Sequence, residues 1–138
     1  KGFSPRYTAP EVFGRMAMNL TTVTVEDEMK SDVYSYAVIL WEMMTRKLPW
    51  ALVTFFFSSS FLFISFIPPF FFYFLENVVK EARDIDFQVR SGRREEIPSS
   101  DGDPNLELLS VLIMLCWKQV PNERPIFHQI VHKLDPIL

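Results

Sequence analysis

The fold is decided by residues 30–46, which have the sequence KSDVYSYAVILWEMMTR. Apolar side chains recur in this stretch at steps of three and four residues, which is the spacing of one face of an α-helix. Further apolar residues fill the other sectors, so we expect this helix to be buried on several sides. We predict that Ser31 or Asp32 caps its first amides and that Pro49 ends it.

Three more helices are predicted closer to the C-terminus. The first covers residues 78–92 and ends at a glycine, and the second covers residues 105–117. Asp103 and Pro104 have the residue types of a helix cap and a first-turn proline, so they mark the start of the second of these helices. The third follows Pro125, because the apolar spacing of a helix resumes there.

The apolar spacing also predicts which side chains of the last two helices face inward: Leu108, Leu109, Leu112, Ile113 and Cys116, then Phe127, Ile130, Val131 and Leu134. Residues 1–14 are punctuated by prolines and a glycine, which predicts a loop. No stretch outside residues 51–75 has the alternation of a strand. The predicted fold class is therefore all-α.

Composition limits the classes of function. A net charge of −3 over 138 residues gives no basic surface for nucleic acid. The single cysteine, Cys116, cannot form an internal disulfide, which fits a reducing compartment. It lies in an apolar run, so we interpret it as a buried, inert thiol. We find no signal-peptide pattern at the N-terminus and expect a cytoplasmic protein.

Three short motifs occur in order along the chain. Residues 4–11 have the sequence SPRYTAPE, residues 30–42 have KSDVYSYAVILWE, and residues 116–125 have CWKQVPNERP. This series resembles the C-terminal lobe of a protein kinase, in which the Ala-Pro-Glu triplet closes the activation segment. The resemblance implies a partial, all-α C-lobe, with the long helix as its central post.

The resemblance covers residues 1–50 and 76–138 and is interrupted by residues 51–75. Ten of these 25 residues are Phe and none is charged. The segment is long enough to span ~30 Å of hydrocarbon, although its two adjacent prolines would break a spanning helix. A buried insertion is disfavoured because a close-packed lobe has no room for so many rings. Translation of an intron is the third interpretation, since joining Trp50 to Glu76 restores a kinase-like sequence.

Glu11 and Arg124 match the two residues that form a buried ion pair in protein kinases. A guanidinium fork can meet a carboxylate with two parallel hydrogen bonds, which suits an arginine at this place. The resemblance therefore implies that Glu11 and Arg124 pair and that their role is structural support of the active site. The alternative is that both are unrelated surface charges.

Asp32 matches the aspartate that, in kinases, hydrogen-bonds the backbone of the catalytic loop and holds the catalytic Asp in place. Ser4 matches a hydroxyl residue that lines the substrate site of Ser/Thr kinases, and Tyr7 stands where tyrosine kinases usually carry Trp. Together with the motif of residues 116–125, this combination resembles the tyrosine-kinase-like group of Ser/Thr kinases. Ser4 also precedes a proline in a loop, as many phosphorylation sites do.

The parts that handle ATP are absent from the 138 residues. The four glycines are too scattered for a phosphate loop, and neither His-Arg-Asp nor Asp-Phe-Gly occurs. The resemblance implies that the intact parent uses ATP and magnesium to phosphorylate Ser or Thr of a protein substrate. This chain alone is predicted to hold no cofactor and to be inactive.

Two other functions stay open. A pseudokinase-like lobe would bind a regulatory protein partner without catalysis, and a membrane-anchored remnant would use residues 51–75. His128 and His132 are spaced to share one face of a helix, but no third ligand accompanies them, so solvated or packed side chains are the expectation there.

Overall fold

The computed structural model describes residues 4–51 and 67–135, with side chains from residue 79 onward in the second range. Within them the fold is all-α, as predicted, and no strand occurs. Five α-helices follow one another: α1 Pro10–Ala17, α2 Val25–Thr45, α3 Ile67–Arg90, α4 Pro104–Cys116 and α5 Phe127–Leu134. Two short 3-10 helices, Pro5–Tyr7 and Pro121–Glu123, precede α1 and α5.

The prediction of a loop over residues 1–14 is wrong for residues 10–14, which begin α1, and its first three residues lie outside the described ranges. Pro10 is the first residue of α1, where its missing N–H costs nothing and its fixed φ suits a helix. Glu11 follows in the first turn, where a carboxylate interacts favourably with the helix dipole. The prolines that suggested a loop therefore mark helix starts.

Helix α2 begins five residues earlier than predicted. Thr24 is its N-cap and forms a capping box with Asp27, in which each side chain accepts the other's backbone N–H. Ser31 and Asp32 therefore lie inside the helix, and the prediction that one of them caps it is wrong. The helix also ends before Pro49, at Thr45, because Arg46 adopts the left-handed conformation with φ of 55°.

Helix α3 is longer than the sequence predicted and crosses the boundary at residues 75 and 76. Pro68 and Pro69 fall in its first turn, where proline is tolerated, so they do not break it. It ends just before Gly92, whose φ of +85° favours glycine. No helix within the described residues is long and apolar enough to cross a membrane, and residues 52–66 lie outside that description.

The predicted cap of α4 is confirmed. The Asp103 carboxylate accepts the backbone N–H groups of Asn105 and Leu106, at 2.8 and 3.4 Å. Three predicted inward positions are wrong, because Leu108 is 40%, Phe127 is 38% and Val131 is 57% exposed. Helix α5 has only eight residues, and only Ile130 among them is fully buried.

The core is centred on α2, which packs against α4, while α1 packs against α3. The buried side chains of α2 lie on one broad face, whereas Ile39 is 44% and Met43 is 70% exposed, so the prediction of burial on several sides is wrong. Burial of these apolar side chains supplies the main force that holds the helices together. The core residues are Ala9, Phe13, Val33, Tyr34, Ala37, Val38, Trp41, Trp50, Ile85, Val89, Leu112, Ile113, Cys116, Trp117 and Ile130.

Candidate functional site: a buried arginine cluster at the Ala-Pro-Glu helix

The pairing of Glu11 with Arg124 that the sequence predicted is present. Arg124 Nη1 donates to Glu11 Oε1 at 2.7 Å, and Arg124 Nη2 donates to Glu11 Oε2 at 2.8 Å. The two residues are 113 positions apart, and their side chains are 0% and 18% exposed. This bidentate geometry joins the start of α1 to the loop before α5.

Arg124 also binds the backbone of two other segments. Its Nη1 donates to the Lys30 carbonyl at 2.8 Å, and its Nε donates to the Lys118 carbonyl at 2.8 Å. Lys30 returns a bond, because its Nζ donates to the Arg124 carbonyl at 2.6 Å. The guanidinium is thus fully supplied with acceptors, which is the condition for burying a charge without a large penalty.

The Glu11 carboxylate has a third donor in the Ser31 hydroxyl, at 2.9 Å. Burial raises the pKa of Glu11, but the hydrogen bonds and positive charge of Arg124 outweigh it, and Ser31 adds to their effect. The pKa of Glu11 therefore lies below its ordinary value. Ser31, which was predicted as a helix cap, contributes here to the ion pair.

The aromatic ring of Tyr34 underlies this cluster. The guanidinium carbons of Arg94 and Arg124 each lie over the ring at 5.1 Å from its centroid. An aromatic face attracts a cation, and the attraction is stronger in a desolvated site. Tyr34 is only 1% exposed, and burial raises the pKa of its phenol to about 12.

The predicted substrate-site residues lie on the short 3-10 segment before α1. Ser4 is exposed, and its side chain makes no capping bond to this segment. The Tyr7 hydroxyl donates to Glu42 at 2.7 Å, and this bond, followed by burial, raises the pKa of Tyr7. Arg6 contacts Glu81 of α3 and the Pro49 carbonyl, so the side chains of Ser4, Arg6 and Tyr7 have different environments.

Asp32 belongs neither to the arginine cluster nor to the contact between Tyr7 and Glu42. It is exposed on α2, and within the described residues its carboxylate has no hydrogen-bond or ion-pair partner. It lines an open groove of about 380 Å³ between α1 and α2, together with Val12, Arg15, Val23, Glu28 and Ser31. The structure thus leaves Asp32 accessible to a partner and gives no support to a capping role.

No group of three metal-ligating side chains occurs in residues 4–51 or 79–135. His128 and His132 stack edge to face with ring centroids 4.5 Å apart, and His132 Nδ1 lies 3.4 Å from Asp135. Cys116 is fully buried, and burial raises the pKa of its thiol to about 11, which leaves it protonated at neutral pH. The structure therefore places it in the core as the sequence predicted.

Sequence reasoning missed three residues of the arginine cluster: Lys30, Tyr34 and Arg94. Lys30 and Tyr34 lie in the apolar α2 pattern, and neither was singled out for a polar contact. Arg94 belongs to a charged run that is typical of solvent-exposed loops. The one available signal is its position directly after the α3 C-terminus, where an arginine can bind free helix carbonyls.

A sequence model of the family described as protein tyrosine and serine/threonine kinase matches residues 1–134. Among curated relatives, a probable serine/threonine-protein kinase of Dictyostelium discoideum is 28% identical over 109 residues, which are 79% of this chain and 5% of the relative. Human receptor-interacting serine/threonine-protein kinase 1 is 29% identical over 130 residues, covering 94% of this chain and 14% of the relative.

Atrial natriuretic peptide receptor 2 of Rattus norvegicus is 31% identical over 125 residues, which are 90% of this chain and 9% of the receptor. The chain therefore spans a small part of the length of these relatives. The match nevertheless covers almost all of the chain, and the two ends of the matched region are joined by the ion pair of Glu11 and Arg124. The chain belongs to the protein tyrosine and serine/threonine kinase family, as a fragment of its C-terminal lobe.

Proposed function

We propose that the intact protein is a Ser/Thr kinase of the tyrosine-kinase-like group, and that this chain supports its active site and docks its protein substrate. Two of the three relatives described above have names that state serine/threonine kinase activity, which supports the choice of Ser or Thr as acceptor. The resemblance of residues 4–11 to Ser/Thr-type activation segments supports the same choice.

The observation that carries this proposal is the buried, bidentate pair of Glu11 and Arg124. Glu11 ends the Ala-Pro-Glu triplet, so the pair fixes the end of the activation segment to the helical lobe. A segment held in one conformation can present a substrate without the entropy cost of ordering it at each turnover. Glu11 and Arg124 are therefore assigned a supporting role, and neither touches the reacting groups.

The substrate-facing residues lie four to seven positions before that anchor. Ser4 is exposed and free to contact a substrate, while Tyr7 is held to α2 by Glu42 and by the Ser35 hydroxyl, which donates to its carbonyl at 2.8 Å. This arrangement leaves one hydroxyl for a substrate and uses the other as an anchor. Asp32 is accessible, as a residue that binds the catalytic loop needs to be.

We propose that this chain holds neither ATP nor magnesium. The described parts contain no cluster of three potential metal ligands, and the glycines do not form a phosphate-binding loop. Phosphoryl transfer requires both a metal site and a phosphate-binding loop, so no step of the reaction is assigned to this chain. We propose that the chain alone is inactive and that ATP and magnesium bind elsewhere in the intact protein.

The test compares two polypeptides in an assay with radiolabelled ATP, magnesium and casein as the Ser/Thr substrate. The intact natural protein is expected to transfer label to casein, and the 138-residue chain alone is expected to transfer none. Transfer of label by the isolated chain would contradict the proposal that ATP and magnesium bind elsewhere in the intact protein. If the intact protein also transfers none, kinase activity is rejected and a non-catalytic, protein-binding lobe becomes the better description.

A further inference from the structure

Arg94 has a set of contacts that joins the ends of two helices. Its Nε donates at 2.8 Å to the carbonyl of Trp117, and Trp117 is the C-cap of α4. Its Nη1 donates at 3.2 Å to the carbonyl of Val89 in α3. Its Nη2 donates to Gln119 Oε1 at 2.7 Å. All three guanidinium nitrogens are therefore engaged, and two of them bind backbone carbonyls at helix ends, which lack intrahelical partners.

Arg124 binds the backbone of two residues in the same turn, which covers residues 117–119. Its Nε donates to the Lys118 carbonyl at 2.8 Å and its Nη2 donates to the Gln119 carbonyl at 3.4 Å. The two arginines thus bind the three consecutive residues 117–119, and both stack over the Tyr34 ring at the same centroid distance of 5.1 Å. A shift of Arg94 would therefore move the turn and the ring that orient Arg124.

We propose that Arg94 is a positioning residue that orients the Arg124 guanidinium toward Glu11 through the Tyr34 ring and the turn at residues 117–119. The step from this orientation to substrate presentation rests on the proposed kinase function. The orientation itself does not rest on it, because it concerns only contacts within this chain. Arg94 would thereby link the C-terminal end of α3 to the end of the activation segment.

The chemistry requires an arginine at position 94. A lysine keeps the positive charge, but it has a single nitrogen and no planar group to stack on Tyr34. It could replace one of the hydrogen bonds and would lose the rest. The conservative variant Arg94→Lys therefore separates the effect of charge from that of the planar fork.

The test measures how fast the Arg124 Nε–Hε proton exchanges with solvent, by NMR of the 138-residue chain with 15N-labelled arginine. Arg94→Lys is expected to accelerate this exchange by about tenfold, because the acceptor at Lys118 is no longer held in place. The matched control is Arg93→Lys, since Arg93 is the adjacent residue and is exposed. The control is expected to change the rate by less than about twofold.

A purely structural role for Arg94 gives a different result. General loss of stability would accelerate hydrogen exchange at the backbone amides of Val33 and Ile113 by the same factor as at Arg124 Nε–Hε. That outcome would overturn the proposal. An unchanged Arg124 rate in Arg94→Lys would overturn it as well. If Arg94→Lys does not fold, Gln119→Met is used, because it removes one acceptor of Arg94 and leaves the backbone acceptors of Arg124 intact.

Tyr34 supplies a second, independent comparison. Tyr34→Phe keeps the ring and is expected to preserve the slow exchange of Arg124, whereas Tyr34→Leu removes the ring and is expected to accelerate it. Because the NMR readout needs no phosphoryl transfer, its failure rejects only the positioning by Arg94. Failure of the casein assay would reject the kinase function and leave the coupling of the two arginines unaffected.

Discussion

Among the residues that the structure describes, two arginine–glutamate pairs join distant parts of the chain, and they differ in burial. Arg124 and Glu11 have side chains that are 0% and 18% exposed, while Arg6 and Glu81 are 16% and 30% exposed. Arg124 also binds three backbone carbonyls and stacks on Tyr34, whereas Arg6 has one additional acceptor, the Pro49 carbonyl. The same two residue types therefore form a buried ion pair in one place and a partly exposed ion pair in the other.

The difference teaches that the environment, rather than the pair itself, sets the energetic role. A buried carboxylate that loses its arginine is left without compensation in a medium of low dielectric constant. A partly exposed carboxylate that loses its arginine is solvated by water instead. The start of α1 is thus fixed by the buried pair, while the segment at residues 4–8 is held more weakly.

The largest expected effect comes from removing the buried arginine. Arg124→Met should lower the free energy of unfolding by about 3–5 kcal/mol, because Glu11 and three backbone carbonyls lose their donor. Urea denaturation followed by circular dichroism measures this change. The matched control, Arg6→Met, should cost no more than about 1 kcal/mol. Equal costs for the two variants would break the comparison.

Acid should weaken the buried pair through Glu11. Since the pKa of Glu11 is lower in the folded chain than its ordinary 4.5, the pair stabilises the fold above that value. This contribution is lost as the pH falls through the folded pKa. Denaturation curves between pH 7 and pH 3 should show the loss in the natural sequence and a smaller loss in Glu11→Gln. Parallel pH profiles for the two would contradict the assignment.

The hydroxyl of Tyr7 should make a smaller contribution at the other site. Tyr7→Phe removes the 2.7 Å bond to Glu42 and should cost about 1 kcal/mol, the usual net value of one hydrogen bond. Because the pKa of Tyr7 is raised above 10.0 in the folded chain, this contribution is present below pH 10 and declines as the pH rises through the folded pKa. A cost equal to that of Arg124→Met would contradict the ranking.

Salt gives the smallest effect and separates the two pairs directly. Raising NaCl to about 1 M shortens the screening length to about 3 Å, which weakens exposed ion pairs much more than buried ones. The stability difference between the natural chain and Arg6→Met should therefore shrink with salt. The difference for Arg124→Met should stay nearly constant. Equal salt dependence would show that both pairs are solvated alike.

The fold class was predictable because it depends on strong local patterns, and the central pair was predictable because its two motifs resemble those of a known family. The apolar spacing of α2 specifies a helix, and the motifs around Glu11 and Arg124 resemble a known family closely enough to predict their pairing. The Asp103 cap was predictable for a similar reason, since its side chain acts within three residues of itself. Contacts that form within a motif leave a signature in it.

The remaining features depend on competition between signals or on tertiary structure. Thr24 and Asp27 form a readable capping box, but Ser31 and Asp32 offered a second start nearer the apolar run. Pro10 and the pair at residues 68–69 were interpreted as breakers, although proline in a first turn favours a helix. The stacking of Arg94 on Tyr34 joins residues 60 positions apart, and no periodicity within either segment predicts it.

The central claim is that the Glu11–Arg124 pair fixes the end of the activation segment to the lobe. A double-mutant cycle tests it most directly, using Glu11→Gln, Arg124→Met and the double variant, with the free energy of unfolding as readout. We predict a coupling free energy of about 2–3 kcal/mol, because each single variant leaves the other partner buried without its opposite charge. Costs that add to within about 0.5 kcal/mol would contradict the claim.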